Sequence, residues 1–351
     1  MSATDLQPRP AFRPDAAGQR LRSLARAAWF AGAAAAGRLV VRPELDGVEA
    51  KLDIPPPSRL AIRRAYAEAF SKDARDIAAG LYPPAEDGLN PIAATRGAAD
   101  VIADARAVEA RRRRRGGTEA RADAGSEAYP VYYKQNFHFQ SGGWFTPESA
   151  RRYDDQVETL FAGAAGPMRR RVLSLLAQAW RGRDHRGLRV LDLACGSGAF
   201  LADLKRTFPR AEIAGLDLSP AYLDEARRRS GVEAVVQGPA ERLPFADGSL
   251  DAVSCVYLFH ELPPRVRPQV AAEIARVLKP GGVLALADSV QAADEPELAR
   301  MLQSFPAYFH EPYYGSYQET DLPALFAEAG LELVGTDKAF LTKAWLLRRD
   351  S

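Results

Sequence analysis

From about residue 188 onward, short apolar runs alternate with stretches of helical periodicity. The strand candidates are 189–193, 212–217, 233–237, 250–256, 282–288, 331–337 and 339–347, with helical patterns separating the first five. Alternation of this kind predicts an α/β fold built on a mostly parallel seven-stranded sheet with both faces covered. Only a short turn separates the last two runs. They are expected to pair as a hairpin, which makes the last strand antiparallel.

Upstream the pattern is helical. A helix is expected over 21–38, and Pro55-Pro56-Pro57 then breaks the chain because each ring fixes its own φ. Ser58 can cap the next helix. Within it Ile62, Tyr66, Phe70, Ala74, Ile77 and Leu81 recur every three or four residues, the spacing of one helical face. A further helix over 91–115 closes in five consecutive arginines, read as a solvated helix end running into a charged linker at 116–128. Thr146-Pro147-Glu148 has the chemistry of a helix start. That helix runs to about 161, and another is expected near 167–180. The resulting division is a disordered tail (1–20), a helical N-terminal region with its linker (21–128), an aromatic cap with helices (129–180) and the α/β domain (181–351).

Composition narrows the classes. The 351 residues are 47% hydrophobic and 26% charged, which suits a globular chain. A net charge of +2 argues against a broad nucleic-acid footprint. The longest apolar run, 27–37, is about half the roughly 20 residues needed to span a bilayer. With only Cys195 and Cys255 there is no disulfide framework, and the expected location is cytoplasmic. The four histidines and two cysteines show no zinc spacing, so no metal is expected.

The strongest chemical signal is the stretch Val190-Leu191-Asp192-Leu193-Ala194-Cys195-Gly196-Ser197-Gly198-Ala199-Phe200. An apolar strand runs into a small-residue turn that opens a helix. Gly196 and Gly198 allow a ligand to approach the main chain, and exposed amides at the helix start favour an anionic group. The spacing is not G-x-G-x-x-G. Asp217 ends the next strand, where a carboxylate can accept both ribose hydroxyls of a nucleoside.

These residues resemble the class I S-adenosylmethionine-dependent methyltransferases, a Rossmann-like family. Asp192 to Gly198 is similar to the family's D-x-G-x-G-x-G motif, with Ala194 in place of the first glycine. Asp217 matches its ribose-binding acid. Gly238-Pro239-Ala240-Glu241-Arg242-Leu243-Pro244-Phe245 resembles G-D-A-E-x-L-P-F, and Arg276-Val277-Leu278-Lys279-Pro280-Gly281-Gly282 matches the segment before the fifth strand. The resemblance implies S-adenosylmethionine as cofactor, bound by Asp192, Ala194, Cys195, Gly196, Gly198, Asp217, Leu218, Gln237, Ala240, Glu241 and Tyr257. Pro239 stands where the family often has the acid that reaches adenine. Adenine contact then falls to the backbone near Ala240, to Glu241 or to Gln237. The segment 133–140 resembles a bacterial subgroup of the family.

The activity implied is methyl transfer to O, N or C of a small-molecule acceptor. His260, just past the fourth strand, is the candidate base, with helix capping or pocket lining as its other readings. Glu261 can orient it, bind substrate or face solvent. Tyr133, Asn136, Phe137 and His138 in the cap are candidate substrate contacts. So are Tyr308, His310, Tyr313, Tyr314 and Tyr317 in a second aromatic patch. The stretch Cys255-Val256-Tyr257-Leu258-Phe259-His260 lacks the Asn/Asp-Pro-Pro-aromatic box of base-amino methylases. A peptide- or protein-directed methyltransferase and a non-catalytic cofactor-binding regulator are the other classes. Residues 20–115 fit either a homodimerisation module or a substrate cap.

Overall fold

A computed structural model describes residues 16–40, 54–85, 91–125 and 129–350. Its sheet comprises β1 (Arg189–Leu193), β2 (Glu212–Asp217), β3 (Val235–Gln237), β4 (Leu250–Val256), β5 (Leu278–Ser289), β6 (Leu331–Ala339) and β7 (Thr342–Arg349), in the order β3-β2-β1-β4-β5-β7-β6. The first five strands are parallel, and β7 runs antiparallel to both β5 and β6. The expected hairpin therefore forms, with β7 inserted beside β5.

Because strand side chains alternate, β1 feeds two cores. Val190 joins one face with α6 (Arg171–Ala179), α7 (Ala199–Thr207) and α8 (Pro220–Ser230). Leu191 and Leu193 join the other with α9 (Arg267–Val277) and α12 (Leu322–Glu328). Strand order reverses between β1 and β4, and in open α/β sheets the ligand crevice lies beyond the strand ends at such a point.

Several expectations need correction. No helix separates β3 from β4, since residues 238–249 form a loop held open by Pro239 and Pro244, which fix the backbone and remove amide donors. The helix expected near 167–180 is two pieces, α5 (Ala165–Arg169) and α6, meeting at Arg170. Helix α1 (Ala16–Val40) starts inside the stretch expected to be disordered, and residues 1–15 lie outside the described residues. The linker is ordered where it is described: Ala120 is buried and its amide donates to Asn136 Oδ1 at 2.8 Å. Residues 126–128 lie outside the described residues.

Only the last three residues of the arginine run at the end of α3 (Pro91–Arg114) are exposed as a solvated helix end would be; the first two are tied into the fold. Arg111 donates to Phe139 O and Ser141 Oγ, both at 2.8 Å, and Arg112 donates to Tyr308 O at 2.8 Å. Guanidinium groups carry five donors in a fixed fork, so one side chain can tie several backbone segments together. Helix α2 (Arg59–Ala78), capped by Ser58, is held by buried charge. Asp73 takes two 2.8 Å bonds from Arg170 and one of 3.0 Å from Tyr82. Arg171 reaches Asp76 at 2.8 Å and Asp337 at 3.1 Å, while Lys72 meets Asp337 at 2.8 Å. Among the described residues no helix is long and apolar enough to cross a membrane.

Candidate active site

The turn after β1 is left-handed at alternate positions: φ is +56° at Ala194, +53° at Gly196 and +81° at Gly198. For a residue with a Cβ that geometry costs about 1–2 kcal/mol, so Ala194 carries strain its two glycine neighbours avoid. Gly198 has a second reason to be glycine: a Cβ there would lie 2.6 Å from Ala226 Cα in α8. The Gly196 amide donates to Asp217 Oδ2 at 2.9 Å, and the Ser219 amide donates to Oδ1 at 2.9 Å. The acid on β2 and the turn after β1 thus form one unit. Burial raises the Asp217 pKa against these two amides.

Asp192 is buried at the end of β1. Ser254 donates to its Oδ1 at 2.8 Å, and Oδ2 has no hydrogen-bond partner. Burial pushes its pKa up to about 7 despite the Ser254 bond.

Beyond these residues lies a half-open cleft; about 1110 Å³ of space lies within and in front of it, part of it open solvent. Its floor includes Asp192, Ala194, Cys195, Gly196, Asp217, Leu218, Gly238 and Ala240; the far end includes Tyr257 and Glu261. Its roof is the cap, where Tyr132, Tyr133, Phe137, Trp144 and Tyr153 line the cleft. The cap is fastened at three points. Ser219 Oγ donates to Trp144 O at 2.5 Å, Ser149 Oγ and Tyr222 OH are 2.9 Å apart, and Ser197 Oγ donates to Asp154 Oδ2 at 2.6 Å. Asp154 and Tyr153 come from α4 (Pro147–Leu160), whose start is capped by Thr146.

The remaining residues singled out from sequence are spread around the cleft rather than along it. Gln237 is exposed and bonds Leu218 O, and Glu241 accepts from Tyr132 OH at 2.6 Å. Asn136 is a cap brace: its side chain donates to Gln140 O and accepts from Ala120 N. His310 packs against Gly117, where a Cβ would meet its ring at 2.3 Å, and bonds Gln135 at 2.8 Å. Tyr313 OH accepts from Gln135. Tyr308 supplies its carbonyl to Arg112. Tyr314 and Tyr317 are buried and bond Ser289, behind the cleft. The aromatic patch between β5 and β6 supports the cap more than it faces the cavity. Local composition could not reveal this, because the facing is set by distant partners.

His260 is not among the cleft-lining residues. Its Nδ1 lies 2.6 Å from Asp288 Oδ1 in a buried ion pair. Burial opposes a charged ring, yet the Asp288 carboxylate outweighs it and lifts the His260 pKa to about 10. A ring that keeps its proton near neutrality has no lone pair to accept another, which opposes the base role expected from sequence. Glu261, one residue on, does line the cleft. Burial and the neighbouring Glu311 push its pKa well above the usual carboxylate range. Glu311 was missed by sequence reasoning. It sits in a turn between α10 (Ala299–Tyr308) and α11 (Tyr314–Gln318), with no motif around it.

A protein-family model described as a methyltransferase domain matches residues 190–282. The chain is also similar to an uncharacterized methyltransferase of Synechocystis, 35% identical over 151 residues, covering 42% of this chain and 68% of that protein. The chain belongs to the class I S-adenosylmethionine-dependent methyltransferases. A demethylmenaquinone methyltransferase of Deinococcus radiodurans is 39% identical over 143 residues, or 37% of this chain and 58% of that protein. The chain therefore spans little more than half the length of that relative. Among solved structures, magnesium protoporphyrin IX methyltransferase from Synechocystis with bound SAH is 18% identical, covering 53% of this chain and 85% of that one at a TM-score of 0.42. The cofactor of this methyltransferase is S-adenosylmethionine. The cleft suits that group in its own chemistry: a buried unpartnered Asp192 oxygen, the Asp217 carboxylate lining the cavity and free space lined by aromatic rings.

Proposed function

We propose that this chain transfers a methyl group from S-adenosylmethionine to an O, N or C atom of a small-molecule acceptor bound under the aromatic cap. The observation that carries this reading is the Gly196–Asp217 bond beside a cleft lined by aromatic rings. When bound, the cofactor supplies an electrophilic methyl on a sulfonium sulfur. Asp217 accepts the ribose hydroxyls, and the open turn after β1 receives the amino-acid end. Asp192, with its free oxygen, serves the charged end of the same ligand. Ala240 and Gly238 line the adenine side, and Leu218 and Tyr257 pack against the ligand.

The cap residues Tyr133, Phe137, Trp144 and Tyr153 exclude water and hold a flat or partly apolar acceptor in line, and alignment of this kind can contribute about 7–11 kcal/mol to a barrier. Glu261 is the polar group presented to the acceptor. His260, fixed by Asp288, is a positioning residue for that turn.

The test is transfer of labelled methyl from S-adenosylmethionine into a small-molecule extract, with Asp217→Ala as control. Labelled product with the wild type and none with the variant is expected. Cofactor binding by calorimetry without any product across broad extracts would overturn the enzymatic reading.

A further inference from the structure

Three side chains that sequence keeps far apart converge beside the cleft. His138 comes from the cap turn, Glu261 from the turn after β4, and Glu311 from the turn between α10 and α11. One ligating atom of each lies within 4.8 Å of the others. The Glu311 side chain is wholly buried. Its Oε1 lies 2.7 Å from His138 Nε2 but outside hydrogen-bonding geometry, and its Oε2 meets no donor. A buried carboxylate without donors is costly unless something positive faces it.

Apart from His138 itself, no basic side chain is paired with Glu311 among the described residues. Among the described residues, neither Glu261 nor Glu311 is ion-paired to a lysine or arginine. His260 lies 4.0 Å from Glu261 and is held by Asp288 at 2.6 Å. Arg267 gives its donors to Phe259 O, Thr320, Tyr313 O and Ser316. The three groups also form a recognisable donor set: one imidazole nitrogen with two carboxylate oxygens suits a divalent first-row cation, bound at about 2.0–2.2 Å. Neighbouring ligands at that bond length stand about 3–3.5 Å apart; His138 and Glu311 are already at 2.7 Å, and closing the group, whose atoms lie within 4.8 Å of one another, calls for a side-chain shift on binding.

We propose that His138, Glu261 and Glu311 form a divalent-cation site at the acceptor end of the cleft. Three protein ligands leave coordination positions open, as in catalytic rather than structural sites. Glu261 lines the cavity, so those positions face it. The ion's use, holding and polarising an acceptor oxygen, rests on the methyl-transfer reading. Its binding does not. The proposal runs against the expectation, drawn from spacing alone, that no metal is involved.

The experiment is calorimetric titration of Mn²⁺, Zn²⁺ or Mg²⁺, each alone, into the chelator-treated full chain. One equivalent of at least one ion is expected to bind. Its affinity should fall about 100-fold or more in Glu311→Gln and in His138→Gln, since even outer-shell changes cost 10–100-fold. Should Glu311→Gln misfold, pulsed electron paramagnetic resonance of the Mn²⁺-loaded protein supplies a readout without it: one coupled imidazole nitrogen in the wild type, absent in His138→Gln. No saturable binding of any of the three ions would overturn the site. So would binding that both substitutions leave unchanged. Neither result depends on finding the methyl acceptor.

Discussion

Two groups of buried charge in this chain are built on opposite terms. Where α2 meets the sheet, Asp73, Asp76 and Asp337 face Arg170, Arg171 and Lys72, each acid with a cation within 3.1 Å. At the end of the cleft, Glu261, Glu311 and Asp288 have only His138 and His260 among them, and both Glu311 oxygens lack hydrogen bonds. The first group is closed: every charge has its complement within the chain. The second is open, and an interior with an open charge balance is where a ligand finds something to complete. Buried charges that neutralise one another hold elements together, whereas unneutralised ones mark sites.

The largest effect expected is at the closed group. Asp73→Asn should cost about 3–5 kcal/mol in denaturant unfolding, because it leaves Arg170 buried without its main partner. A loss below about 1 kcal/mol would show that the pair does not hold α2.

Next come opposite pH responses. Burial raises Asp73, but Arg170 outweighs it and brings the pKa below the ordinary 3.8. Its contribution to stability is therefore complete above that value and lost as pH falls below it. Asp192 is lifted by burial from 3.8 to about 7, so its contribution is complete in acid and lost as pH rises from about 4 to 7. Asp73→Asn should flatten the acid limb of a stability profile of the unliganded chain. Asp192→Asn should flatten the limb toward neutrality, a difference of up to about 4 kcal/mol. Parallel profiles for wild type and Asp192→Asn would remove the contrast.

Third, Asp217→Ala should weaken binding of the demethylated cofactor by about 100-fold in calorimetry, the worth of one or two hydrogen bonds to a charged acceptor. The smallest effect is expected at the strained turn. Ala194→Gly relieves a left-handed residue but loosens the unfolded chain, for a net gain of no more than about 1 kcal/mol in melting experiments.

The sheet and the turn were legible because both announce themselves locally. β1, β2 and β4 begin and end where the apolar runs do, and Gly196, Gly198 and Asp217 sit where the chain must turn or meet a sugar. The closed charge group was not legible, since Asp73 and Asp337 occupy ordinary helix and strand positions. Asn136, His310, Tyr314 and Tyr317 looked like ligand contacts for the same reason: composition shows that polar and aromatic groups cluster but not which way each one faces. Glu311 had no local signal at all. Its character comes from the company that tertiary structure gives it.

The attachment of α2 bears on how the molecule is made. Lys72 and Asp337 are 265 positions apart, and β6, which carries Asp337, joins the sheet through β7. During synthesis from the N-terminus, α2 leaves the ribosome long before its anchoring strand exists. Contacts between such remote segments close late and slowly. Asp73 and Asp76 can meet Arg170 and Arg171 once α5 and α6 are made, but Lys72 must stay hydrated until β6 brings Asp337, so α2 is docked in two stages.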